Sequence, residues 1–154
     1  MTNSTTPEFL SLSRRVTWRQ MLIVVNQLPG AFDTRLTAAL GVTHYEWQIL
    51  ELIAERPERA MRLKEIAALT GTSLSRLSHA VTRLQSTGLA ERQRKANTAS
   101  TFAALTRRGA EIVAQGRPIY AQAVSDLVFG DMLPNEIDSL RRLMAVIAAR
   151  LETP

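Results

Sequence analysis

The segment from residue 73 to residue 86 carries side chains whose types and spacing suit hydrogen bonding to a nucleic acid. A helix turns 100° per residue, so side chains three, four and seven positions apart share one side. Each side chain on the polar side can donate a hydrogen bond to a base edge or a phosphate. None of them is acidic, and the set consists of Ser75, Arg76, His79, Thr82, Arg83 and Ser86.

The positive charge of the chain is concentrated around this segment. Between Gly71 and Gly109 lie seven of the 19 lysines and arginines but only one of the 14 acids, which gives this stretch a charge of +6. The whole chain carries +5, so its remainder is slightly acidic. Such a concentration is expected of a nucleic-acid surface, although a solvated basic face is the alternative explanation of a charge cluster alone.

The residues needed for catalysis or metal binding do not form a recognisable pattern. The chain has no cysteine, which excludes disulfides, thiolate metal sites and thiol redox switches. We find no nucleophile with a base, no paired carboxylates and no phosphate-binding glycine loop. The two histidines, His44 and His79, fall on different predicted helices. The sequence therefore predicts neither an enzyme, nor a metal site, nor a cofactor.

Length and composition indicate one helical domain. At 154 residues the chain can bury a sufficient core without staples. Aromatic residues are only 5% against 45% hydrophobic residues, which favours a core of Leu, Ile, Val and Ala in helices. No apolar run reaches the ~18 residues of a membrane helix, and the first residues do not resemble a signal peptide. We predict a cytoplasmic protein with no membrane association.

The basic segment is predicted to form a helix-turn-helix followed by a hairpin. A short helix from Arg62 to Leu69 runs into Thr70-Gly71-Thr72, and a second helix begins near Ser73. Its apolar side consists of Leu74, Leu77, Val81 and Leu84. After Gly88, two stretches predict antiparallel strands around a polar tip, 89–95 and 101–105. A helix-turn-helix with a following basic hairpin is a winged helix.

Helices are predicted on both sides of this winged helix. The first covers Leu10 to Leu28 and should break or kink at Pro29-Gly30. A second covers Ala31 to about Leu40 and stops at Gly41 in the left-handed conformation. Thr43 and Glu46 then form a capping box that opens a helix ending before Pro57. This helix carries an apolar face of Trp47, Leu50 and Ile53 or Ala54.

After the hairpin, Thr106 is predicted to cap a helix that continues to about Phe129, with an interruption near Gly116 and Pro118. Pro134 opens a last helix with an apolar stripe. The terminal helices expose more apolar surface than one small monomer can cover, which favours dimerisation through them. The stripe consists of Ile137, Leu140, Leu143 or Met144, Ile147 and Leu151.

Four runs of residues resemble the MarR family of bacterial transcriptional regulators: 42–47, Leu63-Lys64-Glu65-Ile66-Ala67, 73–84 and Gly88-Leu89-Ala90-Glu91-Arg92. The resemblance covers about residues 10–151, and its most specific part lies between Leu63 and Thr106. It implies a homodimer with one recognition helix per chain in the major groove of a pseudo-palindromic operator. It also implies a small aromatic or phenolic effector. The whole of 1–154 is then one domain, with its DNA-binding region at 43–106 and dimerisation helices at 10–40 and 107–151.

The wing departs from the pattern of the family that it resembles. Such wings carry an Asp-x-Arg motif near the tip, whereas the stretch from Lys95 to Ser100 contains neither an acid nor an arginine. We expect Arg94 and Lys95 to make the minor-groove or phosphate contact in its place. The full set predicted to bind DNA is Ser73, Ser75, Arg76, Ser78, His79, Thr82, Arg83, Arg92, Arg94 and Lys95.

Five residues are candidates for an effector pocket near the first helices: Trp18, Phe32, His44, Tyr45 and Trp47. Aromatic residues at helical spacing form core equally well, and His44 has a structural alternative beside the capping box. The predicted function is a DNA-binding transcriptional repressor released by a small organic ligand. An effector-independent or architectural DNA-binding protein is the first alternative, and a helical protein-interaction dimer is the second.

Overall fold

The computed structural model describes residues 10–94 and 99–151, and it forms two compact units divided within one helix, between Gly116 and Arg117. Six α-helices and three strands occur in the described residues, and a π-helical segment at Ser125–Phe129 lies between the last two helices. Their bounds in chain order are α1 Leu12–Leu40, α2 His44–Ala54, β1 Ala60–Arg62, α3 Leu63–Leu69, α4 Leu74–Ser86, β2 Ala90–Arg94, β3 Thr101–Leu105, α5 Arg107–Val124 and α6 Pro134–Leu151.

Helix α1 continues through Pro29, so the predicted break into two helices is wrong. A proline removes one backbone hydrogen bond, but burial of the following turns can keep the chain helical. Phe32 and Leu36 provide that burial, since both are core residues of the second half of α1. The helix ends as predicted at Gly41, which adopts the left-handed conformation with φ 71° and ψ 15°.

The capping box at the start of α2 is confirmed. The Thr43 hydroxyl oxygen accepts from the Glu46 amide at 3.2 Å, and the Glu46 carboxylate accepts from the Thr43 amide at 2.8 Å. This exchange satisfies two amides that a helix start otherwise leaves without partners. The predicted apolar face also packs inward, because Trp47, Leu50 and Ile53 are fully buried.

A three-stranded antiparallel sheet in the order β1-β3-β2 supports the helices. The hairpin of β2 and β3 is confirmed, with Arg92 opposite Ala103. Strand β1 was not predicted; it is only three residues long and places Ala60 opposite Ala104 of β3. Because β1 ends at Arg62, the helix predicted from that residue begins one position later.

The helix-turn-helix is formed by α3 and α4, and Gly71 in the turn has the positive φ of 61° that glycine adopts without strain. The Ser73 side chain caps α4 by accepting from the Arg76 amide at 3.2 Å. The predicted apolar side of α4 is buried at Leu77, Val81 and Leu84. Leu74 is 46% exposed, contrary to prediction, because the first turn of α4 borders a cleft beside the wing.

Thr106 joins the base of the wing to α5. Its hydroxyl accepts from the Gly109 amide at 3.0 Å and donates to the Gly88 carbonyl at 2.7 Å, so the predicted cap is confirmed. The predicted interruption near Gly116 and Pro118 is wrong, since α5 is continuous there. Gly116 is required for packing, because a Cβ at this position would overlap the indole of Trp47.

Helix α6 begins at Pro134 as predicted, but none of its described residues is buried in the single chain. The first half of α1 is similarly exposed, and in that helix only Phe32 and Leu36 are buried. Leu12, Ile23 and Val25 are 69%, 54% and 60% exposed. In the parts of the chain that are described, no helix combines the length and hydropathy needed to span a membrane.

Candidate nucleic-acid interface

The polar side of α4 is an exposed surface in the folded chain. It begins within the first turn after the cap at Ser73. Its apolar counterpart packs on the core, so burial of three aliphatic residues fixes which side faces outward. The amphipathic pattern therefore positions the predicted surface correctly. All six predicted side chains are exposed or partly exposed: Ser75, Arg76, His79, Thr82, Arg83 and Ser86.

Arg92 of strand β2 bonds to this helix. Its Nη2 lies 2.7 Å from the Ser78 carbonyl oxygen, 2.9 Å from the Ser78 hydroxyl and 3.0 Å from the Thr82 hydroxyl. Thr82 also donates to the Ser78 carbonyl at 2.9 Å. Charge-assisted hydrogen bonds of this kind fix the wing strand against α4. Ser78, Thr82 and Arg92 thus form one intramolecular group, which we call the wing clamp.

Arg83 is held by a buried acid of α2. Its Nε lies 2.9 Å from Oε1 of Glu46, and the arginine side chain is 55% exposed whereas that of Glu46 is 5% exposed. The other oxygen of Glu46 accepts from the Thr43 amide at 2.8 Å and from its hydroxyl at 3.0 Å. The carboxylate is therefore hydrogen-bonded on both oxygens, as burial of a charge requires.

Arg76 lies over the aromatic ring of Tyr45, the residue before Glu46. The guanidinium carbon is 5.0 Å from the centroid of Tyr45, within the range of a cation–π interaction. The two arginines of the polar side thus each have a partner in the first turn of α2. These partners were not predicted, because helical spacing contains no signal for a contact between separate helices.

The other predicted DNA-binding residues have different surroundings. Ser75 and His79 carry no hydrogen bond or ion pair from their side chains in the described part of the chain. Arg94 is exposed at the end of β2. Lys95 lies outside the described residues. The side chains of Ser75 and His79 are therefore available to bond to DNA, as are the guanidinium N–H groups of Arg76.

The five predicted effector residues have different surroundings in the structure. Trp18 is 49% exposed on the first half of α1, whereas Trp47 is a fully buried core residue beside Gly116. Tyr45 lies beneath Arg76. Phe32 and His44 pair directly, with stacked rings whose centroids are 4.5 Å apart.

His44 has a structural role at the start of α2. Its amide donates to Asp33 at 2.6 Å, which joins α1 to α2. Burial lowers the pKa of its imidazole from 6.5, and the nearby Asp33 carboxylate opposes this by favouring the charged form. The neutral ring stacked on Phe32 is therefore the form present at neutral pH.

A cleft of about 580 Å³ lies between the wing, the start of α3 and the start of α4. Leu63 and Leu74 line it with apolar surface, and three cationic side chains and the acid Glu65 also line it. The volume falls within the range typical of small-molecule sites. Of its leucines and cations, only Arg92 was predicted as functional, because their convergence depends on the position of β1, which was missed. The cations are Arg62, Lys64 and Arg92.

Helix-turn-helix, wing and exposed basic face together define a winged-helix protein. The MarR family model matches residues 40–99. Among curated proteins, no sequence matches significantly. A MarR family transcriptional regulator from Streptomyces coelicolor, Sco3205, solved in complex with DNA, is 31% identical with a TM-score of 0.90. The match covers 95% of this chain and 92% of that one.

Two further solved structures share the fold. AbsC, a MarR family transcriptional regulator from Streptomyces coelicolor, is 26% identical with a TM-score of 0.88, over 95% of this chain and 99% of that one. CouR from Rhodococcus jostii RHA1, solved with p-coumaroyl-CoA, is 20% identical with a TM-score of 0.75. That match covers 91% of this chain and 96% of CouR, and at this identity the likeness shows the fold alone.

The chain belongs to the MarR family of transcriptional regulators. The resemblance and the fold class predicted from the sequence are therefore confirmed. Because members of this family are regulators and not enzymes, the prediction that the protein is not an enzyme is also confirmed.

Proposed function

We propose that the protein is a homodimeric repressor that binds a pseudo-palindromic operator in double-stranded DNA and is released by a small organic ligand. The observation that carries the proposal is the exposed, acid-free side of α4 flanked by the basic strand β2. Its dimensions suit the major groove, which admits one α-helix. The 31% identical relative was solved in complex with DNA, which supports DNA binding by this chain.

The exposed apolar surface of α1 and α6 supports a dimer. In the single chain α6 buries none of its described residues, although Leu143 and Leu151 are apolar and 62% and 82% exposed. A patch of this kind on a protein surface indicates an interface. A two-fold dimer presents two recognition helices to half-sites about one helical turn apart.

The cleft beside the wing supports control by a ligand. Its two leucines, with three cations against the single acid Glu65, suit an amphipathic anion such as an aromatic carboxylate. Arg92 both lines the cleft and makes the wing clamp. A ligand that bonds to Arg92 would therefore favour a different arrangement of wing and α4, and it would lower operator affinity by its differential binding to the two states.

Footprinting on the DNA upstream of the protein's own gene tests the proposal directly. The protected region should have two-fold symmetry, and affinity should fall steeply with salt because phosphate contacts release counterions. Replacing Arg76 with Ala should weaken operator binding by about 1–3 kcal/mol if the side chain contacts a base. Arg56→Ala removes the same charge from the exposed segment that follows α2, outside the proposed DNA-binding and dimer surfaces, and serves as the matched control.

Two results would count against the proposal. Unchanged affinity for both Arg76→Ala and Arg83→Ala, at fixed salt, would contradict the assignment of α4 as the recognition helix. For the ligand, aromatic carboxylates should raise the melting temperature and release the operator. If none does so, the effector-independent regulator becomes the better description.

A further inference from the structure

We propose that Tyr45 and Glu46, in the first turn of α2, are positioning residues that present the two arginines of α4 to DNA. Arg76 lies over the Tyr45 ring, with 5.0 Å between guanidinium carbon and centroid, and Arg83 bonds to Glu46 at 2.9 Å. This inference rests on the proposed DNA-binding function. It assigns the α2 residues a role in recognition although neither need contact DNA.

The two arginines form a matched pair along the helix. They differ by seven positions, which is nearly two helical turns, so both lie on the same side of α4 about 10 Å apart along its axis. Their partners are consecutive residues of α2. The start of α2 therefore holds both arginines of α4. Rotation of either arginine away from the major groove would break its contact with α2.

The atoms used by the ion pair leave the guanidinium of Arg83 ready to bind. Glu46 accepts from Nε, which leaves Nη1 and Nη2 for acceptors on DNA. Two parallel N–H groups match guanine O6 and N7, or two oxygens of one phosphate. A fixed guanidinium also loses less side-chain entropy on binding than a free one. Glu46 thus selects one orientation of Arg83.

The acid itself is kept away from the phosphates. Glu46 is 3% exposed, and its second oxygen is occupied by the amide and hydroxyl of Thr43. A carboxylate at the exposed surface would repel DNA, whereas one that lies buried beneath an arginine mainly orients it. The capping box accordingly serves both to start α2 and to hold the carboxylate.

A double-mutant cycle tests this inference. The probes are a duplex selected from a random pool by the wild-type protein and a random duplex of equal length, and the readout is the ratio of the two affinities. Gln at position 46 can still form the capping box, so Glu46→Gln weakens the ion pair while the helix start is kept. We expect a fall in the ratio of about five-fold with Arg83 present, and none in the Arg83→Ala background.

Glu91→Gln is the matched control, since Glu91 is an exposed acid of the wing that bonds to Gln93 instead of an arginine. It should change both affinities alike and leave their ratio unchanged. Arg83→Lys is a second test that does not depend on the buried residue. It retains the charge but not the planar fork, so the ratio should fall as in Arg83→Ala while the salt dependence stays.

The Tyr45 contact has its own conservative variant. The Tyr45 hydroxyl is buried without a hydrogen-bond partner among the described residues, so Tyr45→Phe keeps the ring face without losing a bond. Tyr45→Leu removes the ring and should lower the ratio, but only when Arg76 is present. Tyr45→Phe, which keeps the ring, should have the same affinity ratio as the wild-type protein.

The outcomes separate the inference from the proposed function. If the wild-type protein selects no duplex, the proposed function fails and the inference fails with it. If it selects one, and Glu46→Gln has the same effect with Arg83 and with Ala at position 83, Glu46 is only a helix cap. That additive result, or a full ratio in Arg83→Lys, would overturn the inference alone.

Discussion

At the scale of single residues, the interface is defined as much by intramolecular contacts as by exposure. Arg92 is exposed, yet its Nη2 is directed to Ser78 and Thr82 of α4. From its charge alone Arg92 would be assigned to DNA binding, whereas in the wing clamp it connects β2 to α4. We therefore expect positively charged side chains to have two functions here, DNA binding and the connection of elements, and the hydrogen-bond partners distinguish them.

The wing clamp makes a prediction for stability. Arg92→Ala removes the charge-assisted bonds to α4 and should lower the free energy of unfolding by about 1 kcal/mol. Arg94→Ala is the matched control, because Arg94 lies two residues further along the same strand and is also exposed. It should change stability by less than about 0.5 kcal/mol. Urea unfolding of both variants measures the difference, and equal values would contradict the clamp.

His44 predicts a pH dependence. Burial lowers its folded pKa below 6.5, so the unfolded state binds the proton more readily. Its contribution to stability is complete above 6.5 and is lost as pH falls from there towards the folded pKa. The free energy of unfolding should decrease from pH 7.5 to 5.5, and it should decrease less in His44→Gln. The same decrease in both proteins would exclude His44 as the source.

At the scale of elements, close packing of α2 on α5 depends on one glycine. A methyl group at Gly116 would overlap the Trp47 indole, so Gly116→Ala should destabilise the fold by about 1–3 kcal/mol. Gly30 is also helical, but a methyl group there would have no neighbour within 4 Å. Gly30→Ala should stabilise by about 0.5–1 kcal/mol through helix propensity. Thermal unfolding of the two variants should shift in opposite directions, and a shared direction would be evidence against the contact.

Patterns within a few neighbouring residues predicted most helices and strands, but they did not predict the contacts between those elements. The caps at Thr43, Ser73 and Thr106 and the buried face of α4 each depend on a few neighbouring residues, and all are confirmed except at Leu74. The continuity of α1 through Pro29 depends on burial of the following turns, which a local rule about proline does not contain. Strand β1 exists through its pairing with β3, and three residues have no period of their own.

The same distinction between local patterns and contacts between elements applies to the candidate site. Amphipathic spacing identified the exposed side of α4, because a helix face needs only its own sequence. The contacts of Glu46 with Arg83 and of Tyr45 with Arg76 join separate helices, so they required the packing of α2 against α4. The exposed surface was thus predictable from the sequence, whereas the contacts that orient its two arginines were found only in the folded structure.

At the scale of the whole molecule, we expect a dimer through α1 and α6. Ile23 of α1 is apolar and 54% exposed in the single chain, so Ile23→Glu should produce monomers and weaken operator binding together. Leu69→Glu places the same charge on an apolar residue of α3 that is 60% exposed. Sedimentation should show a dimer for this control, and a dimer for both variants would exclude α1 from the interface.

The hydroxyl of Thr106 constrains how relatives of this protein can diverge. By bonding to both the Gly88 carbonyl and the Gly109 amide, it fixes the end of α4 to the start of α5 at the base of the hairpin. Insertions and deletions between β2 and β3 would therefore leave the spacing of those two helices unchanged. We therefore expect the wing to tolerate changes in length and sequence without a change in the helical framework beneath it.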